Sequence, residues 1–437
     1  MRFGTDGIRG VANAQLTPEL ALAIGRAAAR VLGGPVITVG RDPRWSGPML
    51  EAAFVAGACA EGVSVELLGV VPTPAVALRS EIANCPAAMI SASHNPFADN
   101  GIKLFAPGGL KLSDDVQERL EAELDAAGAK ADAPTGSDVG TVGTYNVAPD
   151  YVRHVGDSIP AGALAGLKVV LDCGNGASSD VASTVFTRLG AEVIALHVTP
   201  DGSNINDASG STHPESLRTA VVAEGAQLGF AFDGDADRML AVDHQGRLID
   251  GDQLIAVAAV DLKRRGLLVN DTVVVTVMSN LGFRIGMAAE GIEVVDTAVG
   301  DRYVLEALDQ GGHVLGGEQS GHIIFRDRAT TGDGVLSAVV IAEIVARTGR
   351  PLADLADAAM TRLPQVLRNV RIEAPMPDVT VRIADELTAA AAALGADGRV
   401  LVRPSGTEPV VRVMVEAVDA VTAQEWCDHL VQVVESL

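Results

Sequence analysis

Cysteine is scarce in this chain: Cys59, Cys85, Cys173 and Cys427 are the only four in 437 residues. They lie far apart, none in C-x-x-C spacing, which argues against a disulfide framework or a cysteine zinc site. Positive charge is scarce too. Lysine and arginine number 33 against 56 aspartates and glutamates, a formal net charge of −23. A nucleic-acid or anionic-membrane surface needs a basic patch, so neither partner is expected. A phosphorylated small molecule stays open, because a few local arginines outweigh a distant acidic surface. No apolar run approaches the ~18 residues of a membrane span, and the opening MRFGTDGIRG has no apolar signal region. The expected setting is soluble and cytoplasmic.

What the chain does have is enough apolar residues, 48%, to bury sizeable cores. Its length suggests about two to four domains. One pattern recurs three times. The first copy has the strand VITVG (Val36–Gly40), the turn RDPRWSGP, an Ala-rich helix near Met49–Glu61, the strand VSVELLG and a helix opened by VPTPAVAL. The second starts with KVVLDCGNGA at Lys168, then a helix over Ser179–Leu189, the strand AEVIALH and a helix after His213-Pro214. The third starts with TVVVTVMSN at Thr272, then a helix near Phe283–Glu290, the strand IEVVDT and a helix in GDRYVLEAL. Strand–helix alternation with β-branched strands implies α/β layers, mixed but largely parallel. Each copy closes with an apolar run ending in a polar loop: AAMISASHNP, LGFAFDGDADR and HVLGGEQSGH. Ligands of open α/β sheets sit beyond the carboxyl ends of strands, so three loops of different chemistry are expected at one cleft.

Gly128–Asp150 reads as a connector, and Pro200–Pro214 as a long polar loop. After about Pro364 the pattern changes to NVRIEA, a helix near Val381–Leu394, the strands RVLVR and VVRVMVEA around PSGTEP, and a final helix, a small α+β tail. The expected domains are 1–150, 151–252, 253–364 and 365–437.

The loops carry the chemistry. FDGDADR sets Asp233, Asp235 and Asp237 at alternating positions. Three crowded carboxylates repel unless a cation neutralises them, and hard oxygen ligands suit Mg²⁺. An Asx-rich turn explains one or two of them but poorly three. A calcium hand is rejected, because its required glycine and glutamate positions hold Arg238 and His244. A dehalogenase-like phosphatase also ends a strand on D-x-D, but Thr or Val usually follows where this chain has Asp237. RPSGTEPVVR offers Arg403, Ser405, Gly406, Thr407 and Arg412 as donors for a phosphate, or else a glycine turn. GGEQSGH offers Glu318 and Ser320 for sugar hydroxyls and His322 for proton transfer, or else a polar loop. ISASHNPFADNGIKLF places Ser93 and His94 behind an apolar strand, with Lys103 following. No G-x-S-x-G elbow surrounds Ser93, which turns the reading from a hydrolase to phosphoryl transfer. A serine monoester resists spontaneous hydrolysis and can store the group between turnovers. Lys103 could steer phosphoryl oxygens or move a proton, and Arg9 is a further phosphate partner. Taken singly, a capping serine and solvated charges explain these residues; three converging loops favour the chemistry.

FGTDGIRG, ISASHNPF with NGIK, DGDADR, GEQSGH and RPSGTEP occur in this order across nearly the whole chain, and together they resemble the α-D-phosphohexomutase superfamily. The start FGTDGIRGVAN with GEQSGH is most similar to its bacterial branch acting on glucosamine phosphates. The resemblance implies three similar α/β domains and a TATA-binding-protein-like fourth. It implies a phosphorylated Ser93 that holds Mg²⁺ with Asp233, Asp235 and Asp237. It carries Glu318 and Ser320 over as sugar ligands, and Arg403, Ser405, Gly406, Thr407 and Arg412 as ligands of the non-reacting phosphate. Arg9, His94, Lys103, Arg238 and His322 support the site. The implied reaction interconverts glucosamine 6-phosphate and glucosamine 1-phosphate on the route to UDP-N-acetylglucosamine, with glucosamine or glucose 1,6-bisphosphate as primer and intermediate, and a homodimer is admitted. The alternatives are a glucose or mannose phosphomutase, the dehalogenase-like sugar phosphatase and a non-catalytic sugar-phosphate binder.

Overall fold

Valine-, isoleucine- and leucine-rich strands buried on both faces set the architecture. The computed structural model describes residues 4, 6–125, 133–374, 376–404 and 409–437. By contacts the chain divides into two units, Met1–Met278 with Ile292–Ala356, and Ser279–Gly291 with Asp357–Leu437.

The first unit holds three sheets. The first comprises β1 (Ile8–Val11), β2 (Val36–Arg41), β3 (Ser64–Val70), β4 (Ala87–Ile90), β5 (Asp99–Ala106), β6 (Leu110–Lys111) and β7 (Val142–Thr144). Its order is β1-β5-β4-β2-β3-β7, with β6 beside β5. The second comprises β8 (Lys168–Asp172), β9 (Glu192–Leu196), β10 (Leu228–Phe232), β11 (Met239–Asp243) and β12 (Leu248–Ile249), ordered β12-β11-β10-β8-β9. The third comprises β13 (Thr272–Thr276), β14 (Glu293–Thr297), β15 (Leu315–Gly317) and β16 (Ile323–Phe325), ordered β14-β13-β15-β16.

One topology repeats in all three. β2, β8 and β13 each pair in parallel with the strand that follows and with the next one, β4, β10 or β15. That last strand then turns back into an antiparallel partner, β5, β11 or β16. The three polar loops singled out in the sequence are these parallel-to-antiparallel reversals. The sheets are therefore mixed, with antiparallel strands toward one edge and parallel pairs running to the other.

Two helices that periodicity did not single out, Gly251–Arg264 and Gly334–Thr348, are buried around most of their circumference, and such a helix shows no amphipathic stripe. Asp250 caps the first in a capping box with Gln253, and Asp333 caps the second by accepting from Leu336 N. Helices Pro18–Leu32 and Asp114–Asp125 also go beyond the sequence reading. Part of the expected connector is sheet edge: β7 adds in parallel to β3, and a helix starts at Ala148. The helix expected from Ser179 begins at Ala182, after the Gly176 carbonyl has been taken by the Ser179 side chain.

The second unit is a three-stranded antiparallel sheet, β17 (Gln365–Arg371), β18 (Arg399–Pro404) and β19 (Val410–Glu416), ordered β17-β19-β18. Val402, Val411, Val413 and Val415 face a core closed by Cys427, Leu430 and Val434 of the last helix, Ala420–Glu435. The helix expected over Val381–Leu394 is two, Val379–Arg382 and Ala384–Leu394, broken where Ile383 is fully buried in that core. On the opposite face, buried Glu416 accepts from Asn280 Nδ2, Leu281 N, Arg399 Nε and Gln365 Nε2 at 2.7–3.1 Å. That network fixes the start of helix Leu281–Ala289 against the sheet.

Candidate active site

Ser93 ends the turn after β4 with φ 53°, a left-handed conformation that costs a non-glycine residue about 1–2 kcal/mol and needs support. Arg44, wholly buried in the turn after β2, gives that support. Its Nη2 donates to the carbonyls of Ser93 and Asn95 at 3.0 and 2.8 Å, and Nη1 to those of Pro96 and Asp99. Asp42 holds Arg44 Nε at 2.9 Å and accepts from Ser91 Oγ at 2.6 Å. Ser91 Oγ in turn accepts from Ser93 N at 2.9 Å. Asn206, from the second repeat's long polar loop, adds a bond to the Ser93 carbonyl at 2.9 Å.

The second loop meets this one at Gly234, where an added Cβ would lie 2.6 Å from the Ser93 carbonyl oxygen, so only glycine permits the approach. Ser93 Oγ consequently donates to Asp233 Oδ2 at 2.5 Å and lies 3.3 Å from His94 Nδ1. Carboxylate oxygens of Asp233, Asp235 and Asp237 all fall within 4.8 Å of one another, and all three residues are buried. Asp235 also accepts from Thr73 Oγ1 at 2.7 Å. Lys103 Nζ contacts Asp235, Asp237 and Asp6 at 2.8, 2.9 and 2.9 Å. Two buried oxygens, Asp235 Oδ1 and Asp237 Oδ1, have no hydrogen-bond partner among the described residues. Orphaned carboxylate oxygens in a cluster of three fit a hard divalent cation of the Mg²⁺ kind.

The third loop closes over the second at Gly321, whose φ is +91° and whose added Cβ would meet the Met239 carbonyl at 2.2 Å. His322 Nδ1 stands 3.8 Å from Asp237 Oδ1, and its Nε2 3.8 Å from Asp301 Oδ2. Glu318 Oε1 accepts from Gly300 N at 3.1 Å, and Ser320, which is exposed, reaches Glu318 Oε2 at 3.5 Å.

Charge in this cluster is set by burial and neighbours. Burial, then Asp237 and Asp235, push the Asp233 carboxyl well above the usual range. Burial also opposes ionisation of Asp237, but Lys103 and His322 hold it well below. Lys103 is buried, yet Asp235, Asp237 and Asp6 hold it well above its ordinary value. It stays protonated at neutral pH, which leaves it an electrostatic role and removes the proton-acceptor role in this arrangement. Burial, then Arg238 and Arg9, bring His94 down to about 4, so its ring is neutral beside Ser93. His322 is raised: burial opposes this, and Asp237 and Asp301 outweigh it.

The structure thus brings Ser93, His94, Lys103, Asp233, Asp235, Asp237 and His322 together. Arg9 joins through its ion pair with Asp6, and Arg238 through its backbone N, 3.1 Å from Asp233 Oδ1. Arg403 and Arg412 belong to the second unit, where they are direct cross-strand partners. Ser405, Gly406 and Thr407 lie outside the described residues. Sequence reasoning missed Asp6, Asp42, Arg44, Thr73, Lys111 and Asp301. Lys111 Nζ bridges Asp6 and Asp301 at 2.7 Å each, tying the first repeat to the third. Asp6 and Asp301 sit in quoted motifs; for Lys111 no local signal exists.

Four domain models match the chain: phosphoglucomutase/phosphomannomutase alpha/beta/alpha domain I over residues 1–131, domain II over 149–246, domain III over 250–363, and the C-terminal domain over 356–433. A relative from Streptomyces avermitilis, named phosphoglucosamine mutase, is 54% identical, with 99% of this chain and 98% of the relative covered. Another of that name, from Rhodococcus opacus, is 52% identical over 100% of this chain and 99% of its own. A solved structure of a phosphoglucomutase/phosphomannomutase family protein from Burkholderia thailandensis superimposes with a TM-score of 0.82 at 28% identity, covering 99% of this chain and 97% of that one. Among the described residues, no helix is long and apolar enough to cross a membrane.

Proposed function

Because the chain belongs to the phosphoglucomutase/phosphomannomutase family, we propose that it interconverts glucosamine 6-phosphate and glucosamine 1-phosphate through a phosphorylated Ser93. The observation that carries this reading is the Ser93 hydroxyl 2.5 Å from Asp233, one member of a buried triad of carboxylates. In the forward step the P–Oγ bond of phosphoserine 93 breaks as a sugar hydroxyl oxygen attacks phosphorus, giving glucosamine 1,6-bisphosphate and a free serine. The sugar hydroxyl gives up its proton to a neighbouring base and the departing Ser93 Oγ takes one up, so the exchange is proton-neutral. The neutral ring of His94, 3.3 Å from Ser93 Oγ, is one group in reach of that transfer. The bisphosphate turns round and its other phosphoryl group returns to Ser93.

Asp233, Asp235, Asp237 and the phosphoserine would hold Mg²⁺, which supplies charge neutralisation for the phosphoryl oxygens. Lys103, fixed as a cation, adds to that positive field. Glu318 and Ser320 orient the sugar through its vicinal hydroxyls, with Arg238, Arg9 and His322 around them. Arg403 and Arg412 take the non-reacting phosphate. Glucosamine or glucose 1,6-bisphosphate would prime a dephosphorylated chain, the product would serve UDP-N-acetylglucosamine synthesis, and the four matched domains would divide as phosphoserine, metal, sugar and phosphate domains over 1–150, 151–252, 253–364 and 365–437. A cytoplasmic setting and a homodimer complete the proposal.

The test is intact mass after incubation with glucose 1,6-bisphosphate, together with a coupled assay over a panel of hexose phosphates. One added phosphate on Ser93 and turnover of glucosamine phosphate are expected. Release of inorganic phosphate without isomer formation would replace this reading with a phosphatase.

A further inference from the structure

Across the face of the β17-β19-β18 sheet that lies opposite its core, direct cross-strand partners form rows of contrasting chemistry. The first row is Gln365–Glu416–Arg399, in which the Glu416 carboxylate meets the Arg399 guanidinium at 2.9 Å. The second is Leu367–Met414–Leu401, wholly apolar. The third is Asn369–Arg412–Arg403, two guanidiniums side by side with no carboxylate in the row. Beyond it Arg371 pairs with Val410, so Arg371 lies diagonal to Arg412 on the same face. Diagonal partners are about 7–8 Å apart at the backbone, within reach of two long side chains and one anion between them.

Like charges directly opposite in a sheet are destabilising unless something neutralises them. Arg412 depresses the Arg403 guanidinium further once burial has lowered it, the mark of a cation facing a cation. Among the described residues no ion pair to Arg371, Arg403 or Arg412 is found, while the row at the other end is fully balanced. The same end of the face opens into a cavity of about 400 Å³ lined by Asn369, Arg371, Ile372, Pro409, Val410 and Arg412. In a chain of net charge −23, Arg371 and Arg412 line this cavity and Arg403 stands opposite Arg412 in the sheet, none with a carboxylate partner among the described residues, which makes the cavity a site for an anion.

We infer that Arg371, assisted by the Asn369 amide, is a further phosphate-binding residue of the tail, facing Arg412 across the cavity. The inference rests on the phosphohexomutase reading and extends it. A mutase must hold the non-reacting phosphate of two positional isomers that present it from opposite ends of the sugar. A single arginine pair fixes one approach; a third guanidinium on a neighbouring strand widens the seat so that a dianion can lean toward either side. Arg371 is exposed and makes no ion pair among the described residues, so it is free to follow the ligand.

The experiment uses the full-length chain and inorganic phosphate as probe, titrated calorimetrically into wild type, Arg371→Ala, Arg371→Lys and Arg412→Ala. Loss of one charge-assisted contact should weaken phosphate binding ~10-fold in Arg371→Ala, with part of it retained in Arg371→Lys. In the mutase assay, KM for both glucosamine phosphates should rise in parallel while kcat changes little. Phosphate affinity that stays within about twofold of wild type in Arg371→Ala, while Arg412→Ala loses it, overturns the inference, as does a wild-type chain that binds no phosphate. Should Arg371→Ala fail to fold, Arg371→Gln gives the same reading. Arg371-dependent phosphate binding in a chain that isomerises no hexose phosphate would sustain the inference and remove the mutase reading, so the two failures are separable.

Discussion

The Ser93 hydroxyl donates to Asp233 Oδ2 at 2.5 Å, joining residues 140 positions apart. The bond exists because Arg44 holds the serine turn in a left-handed conformation and Gly234 lets the aspartate loop come up beneath it. A hydroxyl so placed is the one expected to carry phosphate. Ser93→Ala should take up no label from a labelled bisphosphate and lose mutase turnover. Ser91→Ala should still be labelled, at Ser93, but to a lower extent, because Ser91 bridges Asp42 and Ser93 N. Stable label mapped to Ser91 or Asp233 would refute the assignment.

Arg44 has no contact with the carboxylate triad and should nevertheless be as sensitive as the residues that form it. Its guanidinium serves four carbonyls and buried Asp42. Arg44→Ala leaves the buried Asp42 carboxyl without its cation, held only by Ser91 Oγ and the backbone N of residue 44, which costs roughly 3–5 kcal/mol. Denaturant unfolding should show that loss, and the folded fraction should be poorly phosphorylated. Unchanged stability in Arg44→Ala would mean the turn is held some other way.

The three polar loops were legible in the sequence because each follows a short apolar strand and gathers polar residues at one spot, a local signal. Their common topology was legible for the same reason, in the repeated strand–helix alternation. Arg44 was not, since RDPRWSGP reads as an ordinary turn and its partners lie up to 55 positions away. Thr73, bonded to Asp235 across 162 positions, looks locally like a helix start. Helices Gly251–Arg264 and Gly334–Thr348 escaped because burial all round erases the stripe that periodicity detects. The break at Ile383 depends on which side chain the tail core accepts, a tertiary choice that helix propensity does not encode.

A cation should bind the folded chain and not the unfolded one. Added Mg²⁺ should therefore raise the melting temperature of chelator-treated protein, by up to about 2.7 kcal/mol of stability at a hundredfold excess over Kd. Asp235→Asn and Asp237→Asn each remove an orphaned oxygen's charge and should abolish both the shift and turnover. Equal melting curves with Mg²⁺ and with chelator, or full activity in excess chelator, would remove the metal from the site.

Asp333 gives the fold a pH signature separate from catalysis. It accepts from Leu336 N at 2.9 Å and Tyr151 OH at 2.7 Å, and burial raises its carboxyl from 3.8 to about 6 despite both bonds. The folded chain thus keeps this proton when the unfolded chain has lost it. Its contribution is full below about pH 3.8 and is lost as pH rises to about 6, roughly 3 kcal/mol in all. Asp333→Asn, still able to cap the helix, should lack that slope. Urea midpoints of the two proteins at pH 4 and pH 7 check this: the difference between them should change with pH, and a constant difference refutes it.

Substrate choice turns on carbon 2 of the sugar. Glu318 accepts from Gly300 N at 3.1 Å and stands beside Ser320, and these are the two residues proposed to meet the sugar's vicinal hydroxyls. Glucose and glucosamine share those hydroxyls, and a site reading only them and the phosphate would accept both. The remaining discrimination, about 1–3 kcal/mol, must come from the amino group. At neutral pH that group is a cation, so glucosamine phosphate carries about one negative charge fewer than glucose phosphate and is repelled less by a chain of net charge −23 before any specific contact forms. Glucosamine phosphate should therefore exceed glucose phosphate in kcat/KM, with measurable leakage to glucose. Mannose phosphate should do worst, since its carbon-2 substituent points the other way. The comparison is made with phosphorylated enzyme at saturating Mg²⁺, at low and high salt. A preference carried by the long-range field shrinks as salt screens it, whereas one carried by a buried contact persists. Equal or better efficiency with glucose or mannose phosphate at both salts would transfer the assignment to a glucose or mannose phosphomutase.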